Sequence, residues 1–206
     1  MLAGERLPVG LPSDDTAYVL GLGIIRVAGG EYAIANPIYR EIIPRALIWD
    51  QQHSIHEPTE RYLRPDGSLD LPKLMAAWQT FWREDGHLAA AGFSYQEAGP
   101  HLMLMAFLQR VVNGGGRIER EYALGRGALD LLIAWRGARH AIEVKLRRDT
   151  QTEERALEQV RRYLETLGLA EGWLVIFDLR GALPWDQRLT LRTLDVGEKR
   201  VHLVGC

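Results

Sequence analysis

The spacing of apolar and polar positions divides the chain into stretches of different period. Ser13 heads a short helical run to residue 20, where its side chain can accept orphan backbone N–H groups and Asp14 and Asp15 sit at the positive helix end. Gly21 and Gly23 stop that run. Two β-prone stretches, 24–27 and 31–35, flank Ala28-Gly29-Gly30, a tip suited to a hairpin because glycine accepts positive φ. Asn36-Pro37 then provides a helix cap and first residue, followed by a stripe of Ile38, Ile42, Ile43 and Leu47. Residues 51–70, with Pro58, Pro65 and Gly67, read as a polar linker. Helical spacing returns over 72–83, through Leu74, Met75, Trp78, Phe81 and Trp82. A second helix over 99–112 is apolar nearly all round and should be deeply buried.

Beyond Asn113-Gly114-Gly115-Gly116 the period changes to two, predicting consecutive strands over 117–123, 128–135 and 140–146. Residues 152–167 return to helical spacing, with Ala156, Val160, Leu164 and Leu167 on one face. The apolar run 173–179 reads as a buried parallel strand, and strand, helix, strand implies a right-handed crossover. A last strand over 200–204 closes the sheet. The picture is α/β.

Composition narrows the class. With 206 residues, 47% hydrophobic and 25% charged, the chain can bury a full core, and neither a spanning helix nor a signal peptide is legible, so it reads as cytoplasmic with no membrane partner. The single cysteine, Cys206, leaves no internal disulfide and no multi-cysteine zinc site, so any metal would have oxygen or imidazole ligands. Net charge is -2, yet residues 117–162 carry 11 Lys/Arg against 8 Asp/Glu, a local excess of 3 positive charges. Phosphate binding follows the local field, so the global value does not exclude nucleic acid. His53 and His56, separated by two residues in the polar stretch without cysteine partners, read as surface histidines.

The chemistry concentrates around Ala128–Leu146. If Arg136-Gly137 forms a two-residue loop, the register sets Asp130 opposite Glu143, with β-carbons about 5 Å apart. Lys145, two residues on, points to the same side, while Leu129, Leu131, Ile133, Ile142, Val144 and Leu146 form the apolar face. Two adjoining, partly buried carboxylates cannot both stay ionised without a cation. A hard divalent ion answers that, since Mg2+ takes one or two carboxylates, keeps several waters and accepts phosphate oxygens. The bland alternative is a structural acid pair neutralised by Lys145 and Arg126.

Asp130, twelve intervening residues and Glu143-Val144-Lys145 between apolar strands together resemble the PD-(D/E)XK nuclease superfamily. Gln159-Val160-Arg161-Arg162-Tyr163 on the crossover helix is similar to the Gln-x-x-x-Tyr element of its RecB-like branch. The resemblance, over about 93–179, implies a mixed-sheet restriction-endonuclease-like core in the order α-β-β-β-α-β. It implies Mg2+ or Mn2+ as cofactor, DNA as partner, Asp130 and Glu143 as metal ligands, Lys145 as electrostatic helper, and Gln159 and Tyr163 shaping the site. It also implies a further acid from the helix before the hairpin. Residues 101–112 hold no carboxylate, so the candidates are Glu97, taken slightly ahead, and Glu121.

Helix, hairpin, helix is the tail of a winged-helix unit. The stretch 11–47, with Leu-Gly-Leu-Gly-Ile-Ile-Arg and Ala-Asn-Pro-Ile-Tyr-Arg-Glu-Ile-Ile-Pro-Arg, resembles the winged-helix segment after the nucleotide-binding module of a group of prokaryotic AAA-like ATPases. No Gly-x-x-x-x-Gly-Lys-Ser/Thr loop occurs here, so such a module is expected elsewhere in a longer chain. The expected organisation is a partial winged helix over 1–50, a linker and helix over 51–92, and a nuclease-like domain over 93–206. Its expected function is metal-dependent hydrolysis of DNA phosphodiesters. The alternative is a catalytically inactive nuclease-fold module that binds nucleic acid or protein and regulates an ATPase.

Overall fold

The computed structural model describes residues 7–10, 13–36, 39, 42–43, 46, 49, 55, 57–87, 99–124, 127–147, 149–179 and 184–206, with backbone only for 7–8, 121–124 and 127. It is a mixed α/β protein with two separate sheets. The first is small: β1 (Leu7–Pro8), β2 (Ile25–Ala28) and β3 (Glu31–Ile34) pair antiparallel in the order β1-β3-β2. Helix α1 (Asp14–Gly21) precedes the hairpin, and the Ser13 side chain accepts from the Thr16 N–H as its cap. No residue of α1 is buried, and Tyr18, Leu22 and Val27 are exposed, so this unit has little core of its own. The helix expected after Asn36 lies mostly outside the described residues. Tyr39, Ile42, Ile43, Ala46 and Trp49 are helical, and Ile42, expected in an apolar stripe, is exposed.

The second sheet has six strands in the order β4-β5-β6-β7-β9-β8. These are β4 (Gly116–Leu124), β5 (Gly127–Trp135), β6 (Ala138–Leu146), β7 (Glu171–Phe177), β8 (Thr190–Val196) and β9 (Lys199–Gly205). β4 to β6 form an antiparallel meander, β7 joins β6 in parallel, and β9 joins β7 in parallel. The turn between β5 and β6 has Arg136 at φ 44° and Gly137 at φ 87°, the two positive φ values that a two-residue hairpin matching strand twist requires.

Helices cover both faces because the inner strands are apolar on both sides. On one face, α2 (Leu71–Phe81), a π-helical turn (Trp82–Gly86) and α3 (Gly99–Val112) pack on Leu131, Ile133, Trp135, Ile142, Val144, Val175 and Phe177. Trp78 is at its centre, with ring centroids 5.5 Å from Phe107 and 6.1 Å from Phe177 and its indole N–H on Cys206 Sγ at 3.2 Å. Each such fully buried apolar side chain contributes roughly 1.5–3 kcal/mol. On the other face, α4 (Thr152–Leu167) lays Ala156, Val160, Leu164 and Leu167 on Leu132, Ala141, Leu174, Ile176 and Leu203. Gly168, at φ 67°, ends α4.

The stretch read as a linker is pinned to this core. Thr59–Tyr62 forms a 3-10 turn, Tyr62 and Leu69 are fully buried, Leu63 bridges Leu69, and Thr59 donates to the Val111 carbonyl at 2.8 Å. Strand β8, after a short helix α5 (Trp185–Arg188), was not anticipated. The parallel strand begins at Glu171, two residues before the expected start.

At Gly116, where α3 passes into β4, an added Cβ would lie 2.5 Å from the Ala134 carbonyl oxygen and 2.8 Å from the Trp135 ring. Gly116→Ala should destabilise the fold by roughly 1–3 kcal/mol, the usual cost of overpacking, read from the midpoint of urea unfolding.

Candidate active site

The site lies where the sheet forks. The β5–β6 ladder runs from Trp135↔Ala138 to Leu131↔Ile142 and stops there. Beyond it, β5 stays with β4 through Leu129↔Tyr122, Ala128↔Ala123 and Gly127↔Leu124, while β6 stays with β7 through Glu143↔Leu174 to Leu146↔Phe177. Asp130 and Glu143 stand at the apex, and their carboxylates replace the missing rungs. Asp130 Oδ2 accepts from the Val144 N–H at 2.8 Å, and Glu143 Oε2 accepts from the Asp130 N–H at 3.4 Å. The expected direct ladder pair is thus a pair joined by side chain to backbone bonds. Alternation breaks here too: Leu129, expected on the apolar face with Leu131, packs in the cluster under α4, because the strand leaves its ladder at Asp130.

Lys145 completes the constellation. Its Nζ is 2.5 Å from Glu143 Oε1 and 4.0 Å from Asp130 Oδ2. Glu143 has no solvent exposure, whereas the side chains of Asp130 and Lys145 keep 14% and 31%, so the site opens to solvent through those two. Burial, and then the neighbouring Asp130 charge, push the Glu143 carboxyl up to about 8 against the opposing pull of Lys145. Burial acts to lower the Lys145 value, but the Glu143 and Asp130 carboxylates outweigh it and hold the ammonium above its ordinary range. In its folded environment Glu143 therefore holds a proton well above the usual glutamate range.

Helix α4 supplies the flank. Gln159 Nε2 donates to Tyr163 Oη at 2.8 Å, and Tyr163 lies in the field of Glu143, Lys145 and Asp130. Burial raises the Tyr163 phenol, which keeps it a neutral donor. The helical spacing thus sets Gln159 against Tyr163, and Tyr163 is the one of the two in the field of the acid pair.

The third acid is not among the described side chains. Glu97 lies outside the described residues, as do His53, His56, Arg126 and Arg148. The backbone at Glu121 falls across from Asp130, since its neighbours pair as Arg120↔Leu131 and Tyr122↔Leu129. Among the described residues, no group of three or more His, Cys, Asp or Glu side chains is gathered to hold a metal ion. Within the locally basic stretch 117–162, Arg155 is engaged by Asp149, and Arg161 by Glu158 and Glu165.

His101 was missed. It sits in the first turn of α3, in the field of Asp130 and Lys145. Both ring nitrogens are buried without a hydrogen-bond partner among the described residues, and the Val144 backbone lies beside the ring. Burial holds the imidazole below its ordinary value, so it stays neutral at pH 7. Unpaired buried polar atoms are rare because each costs about 1–3 kcal/mol, and such atoms beside an acid pair are suited to a ligand. The signal in the sequence was one ionisable ring in a helix otherwise apolar nearly all round.

Asp130 and Glu143 are the two described carboxylates that could take part in holding a hard divalent cation that keeps much of its water, and the His101 ring does not complete a three-residue group with them. No described helix is long and apolar enough to cross a membrane. A family model described as "Domain of unknown function (DUF8371)" matches residues 74–181, just over half of the chain and spanning every residue of this site. No curated protein and no solved structure matches the chain.

Proposed function

We propose, for a chain that belongs to the DUF8371 domain family, a metal-dependent nuclease that hydrolyses phosphodiester bonds of DNA, with Mg2+ or Mn2+ as cofactor. The observation that carries this reading is Lys145 Nζ within 4.0 Å of both carboxylates at the apex of a forked sheet. The order α3-β4-β5-β6-α4-β7 supports a restriction-endonuclease-like core, and Gln159 and Tyr163 support the RecB-like branch of the PD-(D/E)XK superfamily. Helix α1 and the β2–β3 hairpin support a partial winged helix, and with it a longer chain bearing an ATPase module.

Asp130 and Glu143 would hold the ion. A bound Mg2+ or Mn2+ there supplies Lewis acidity and makes a bound water more acidic. The Asp130 carboxylate is oriented by the Val144 N–H, so it is pre-positioned at no cost when substrate arrives. Lys145 places its ammonium where negative charge grows on the non-bridging phosphate oxygens. Tyr163, whose oxygen accepts from Gln159, would use its hydroxyl proton to donate toward the same space. His101 sets its unpaired ring nitrogens on the α3 side of the fork, in the field of Asp130 and Lys145. His101→Ala should lower cleavage about 10–100-fold, the usual effect of losing a supporting group at a metal site, with the circular dichroism spectrum unchanged.

The direct test incubates the purified chain with single- and double-stranded DNA plus Mg2+ or Mn2+, beside Asp130→Ala. Cleavage by the parent alone, abolished by EDTA, supports the reading. Equal cleavage by both proteins, or none by either, overturns catalysis. That the described residues gather two carboxylates and no third favours a second reading, an inactive nuclease-fold module that binds nucleic acid or protein and regulates an ATPase. It predicts DNA affinity that is indifferent to metal.

A further inference from the structure

We infer that Arg147 is a second phosphate contact of this site and makes it select a polynucleotide strand over an isolated phosphodiester; the inference rests on the nuclease reading above. Glu143 and Lys145 are alternate residues of β6, and Arg147, the residue after the strand, keeps its course by donating its N–H to the Phe177 carbonyl at 2.8 Å. All three therefore project toward α4. Successive same-side positions on a strand are about 6.6 Å apart, the length scale of one nucleotide step in an extended backbone. With Lys145 facing the phosphate that reacts, Arg147 faces its neighbour.

The guanidinium is held in place. Its Nη2 lies 3.0 Å from Glu153 Oε2 on α4, its Nε lies 3.6 Å from Asp178 Oδ2 after β7, and Glu153 Oε1 also takes Arg192 Nη2 at 2.8 Å. Two of its five N–H donors are directed at those acids, and the side chain keeps 23% exposure. Arg147 and Arg192 balance Glu153 and Asp178, so the network sets orientation more than net field. An aligned, partly open guanidinium is the group best matched to a phosphate, because its planar fork can bind two oxygens at once. Beyond Ile142 the backbone ladder between β5 and β6 ends, and in this row Lys145 and Arg147, with side chains 31% and 23% exposed, are the members open to a strand. A purely structural clamp tying the end of β6 to α4 and β7 would affect all substrates alike, and the test exploits that.

The probes are a 12-nucleotide fluorescein-labelled single strand and bis(p-nitrophenyl) phosphate, which has no neighbouring phosphate. In Mn2+, Arg147→Gln should lower the ratio of kcat/KM for the strand to that for the small ester about tenfold, mostly through KM. Arg147→Lys, which keeps charge without the fork, should fall in between. In EDTA, anisotropy titrations of the strand should show Arg147→Gln binding more weakly, with a salt slope reduced by about 0.7, the value for one single-strand phosphate contact. An unchanged ratio together with an unchanged salt slope overturns the inference. If the parent cleaves neither probe, the nuclease reading fails, and the EDTA titration alone decides Arg147: a slope equal to the parent's rejects the contact.

Discussion

Glu143→Gln is expected to make the protein more stable than the parent at pH 9 while reducing metal-supported cleavage more than about 100-fold, since even supporting groups at metal sites typically cost 10–100-fold. The stability effect follows from the raised carboxyl. The folded protein holds the Glu143 proton up to about 8, whereas the unfolded chain releases it near the ordinary value of 4.5. Between those values the folded state binds more protons than the unfolded state, so parental stability falls as pH rises, by at most about 1.4 kcal/mol per unit. Below that window the contribution is fully present, and above about 8 it is gone. Glutamine has the shape of the protonated acid and no charge to bury, so the variant should lack this slope. Urea unfolding at pH 5, 7 and 9 checks it. Parallel pH profiles for parent and variant would show that Glu143 carries no buried charge cost.

Lys145→Met should move stability the other way. Removing the ammonium leaves Glu143, fully buried, and Asp130 facing each other without compensation. Breaking a buried pair by deleting one partner typically costs about 3–5 kcal/mol, and the exposed third of Lys145 puts this case at about 3 kcal/mol. The loss should be greatest above pH 8 and should shrink toward pH 5, where Glu143 takes up its proton instead. The double variant Glu143→Gln, Lys145→Met should recover most of it, because the charge that lacked a partner is gone too. Cleavage should be lost in both, and a Lys145→Met protein as stable as the parent at pH 9 would contradict the assigned pair.

Much of the fold was legible because the period of the apolar positions tracks burial. Helices α2 to α4, β6, β9 and the Leu131 to Trp135 part of β5 place their described buried residues where alternation or helical spacing put them, and Arg136-Gly137 makes the two-residue turn that brings Asp130 toward Glu143. Strand β8 escaped notice because it is an edge strand: Leu191, Arg192 and Thr193 are exposed in succession, so no apolar alternation marks it. Its pairing with β9 comes from backbone bonds, which leave no trace in composition. The fork escaped notice for a similar reason. Periodicity assumes that every rung is a backbone pair, whereas here the Asp130 and Glu143 carboxylates take the places of two rungs. The acid pair itself was legible from spacing alone. His101 was not, because its importance lies in what its nitrogens lack in three dimensions.

The most direct measurement is a calorimetric Mn2+ titration of the parent, Asp130→Asn and Glu143→Gln at pH 8, with the parent repeated at pH 6. A single Mn2+ should bind the parent, at least about tenfold more weakly to either variant, and more weakly to the parent at pH 6 because the ion competes with the Glu143 proton. No Mn2+ binding by the parent, or binding equal in all three proteins and at both pH values, would contradict a divalent site built on Asp130 and Glu143.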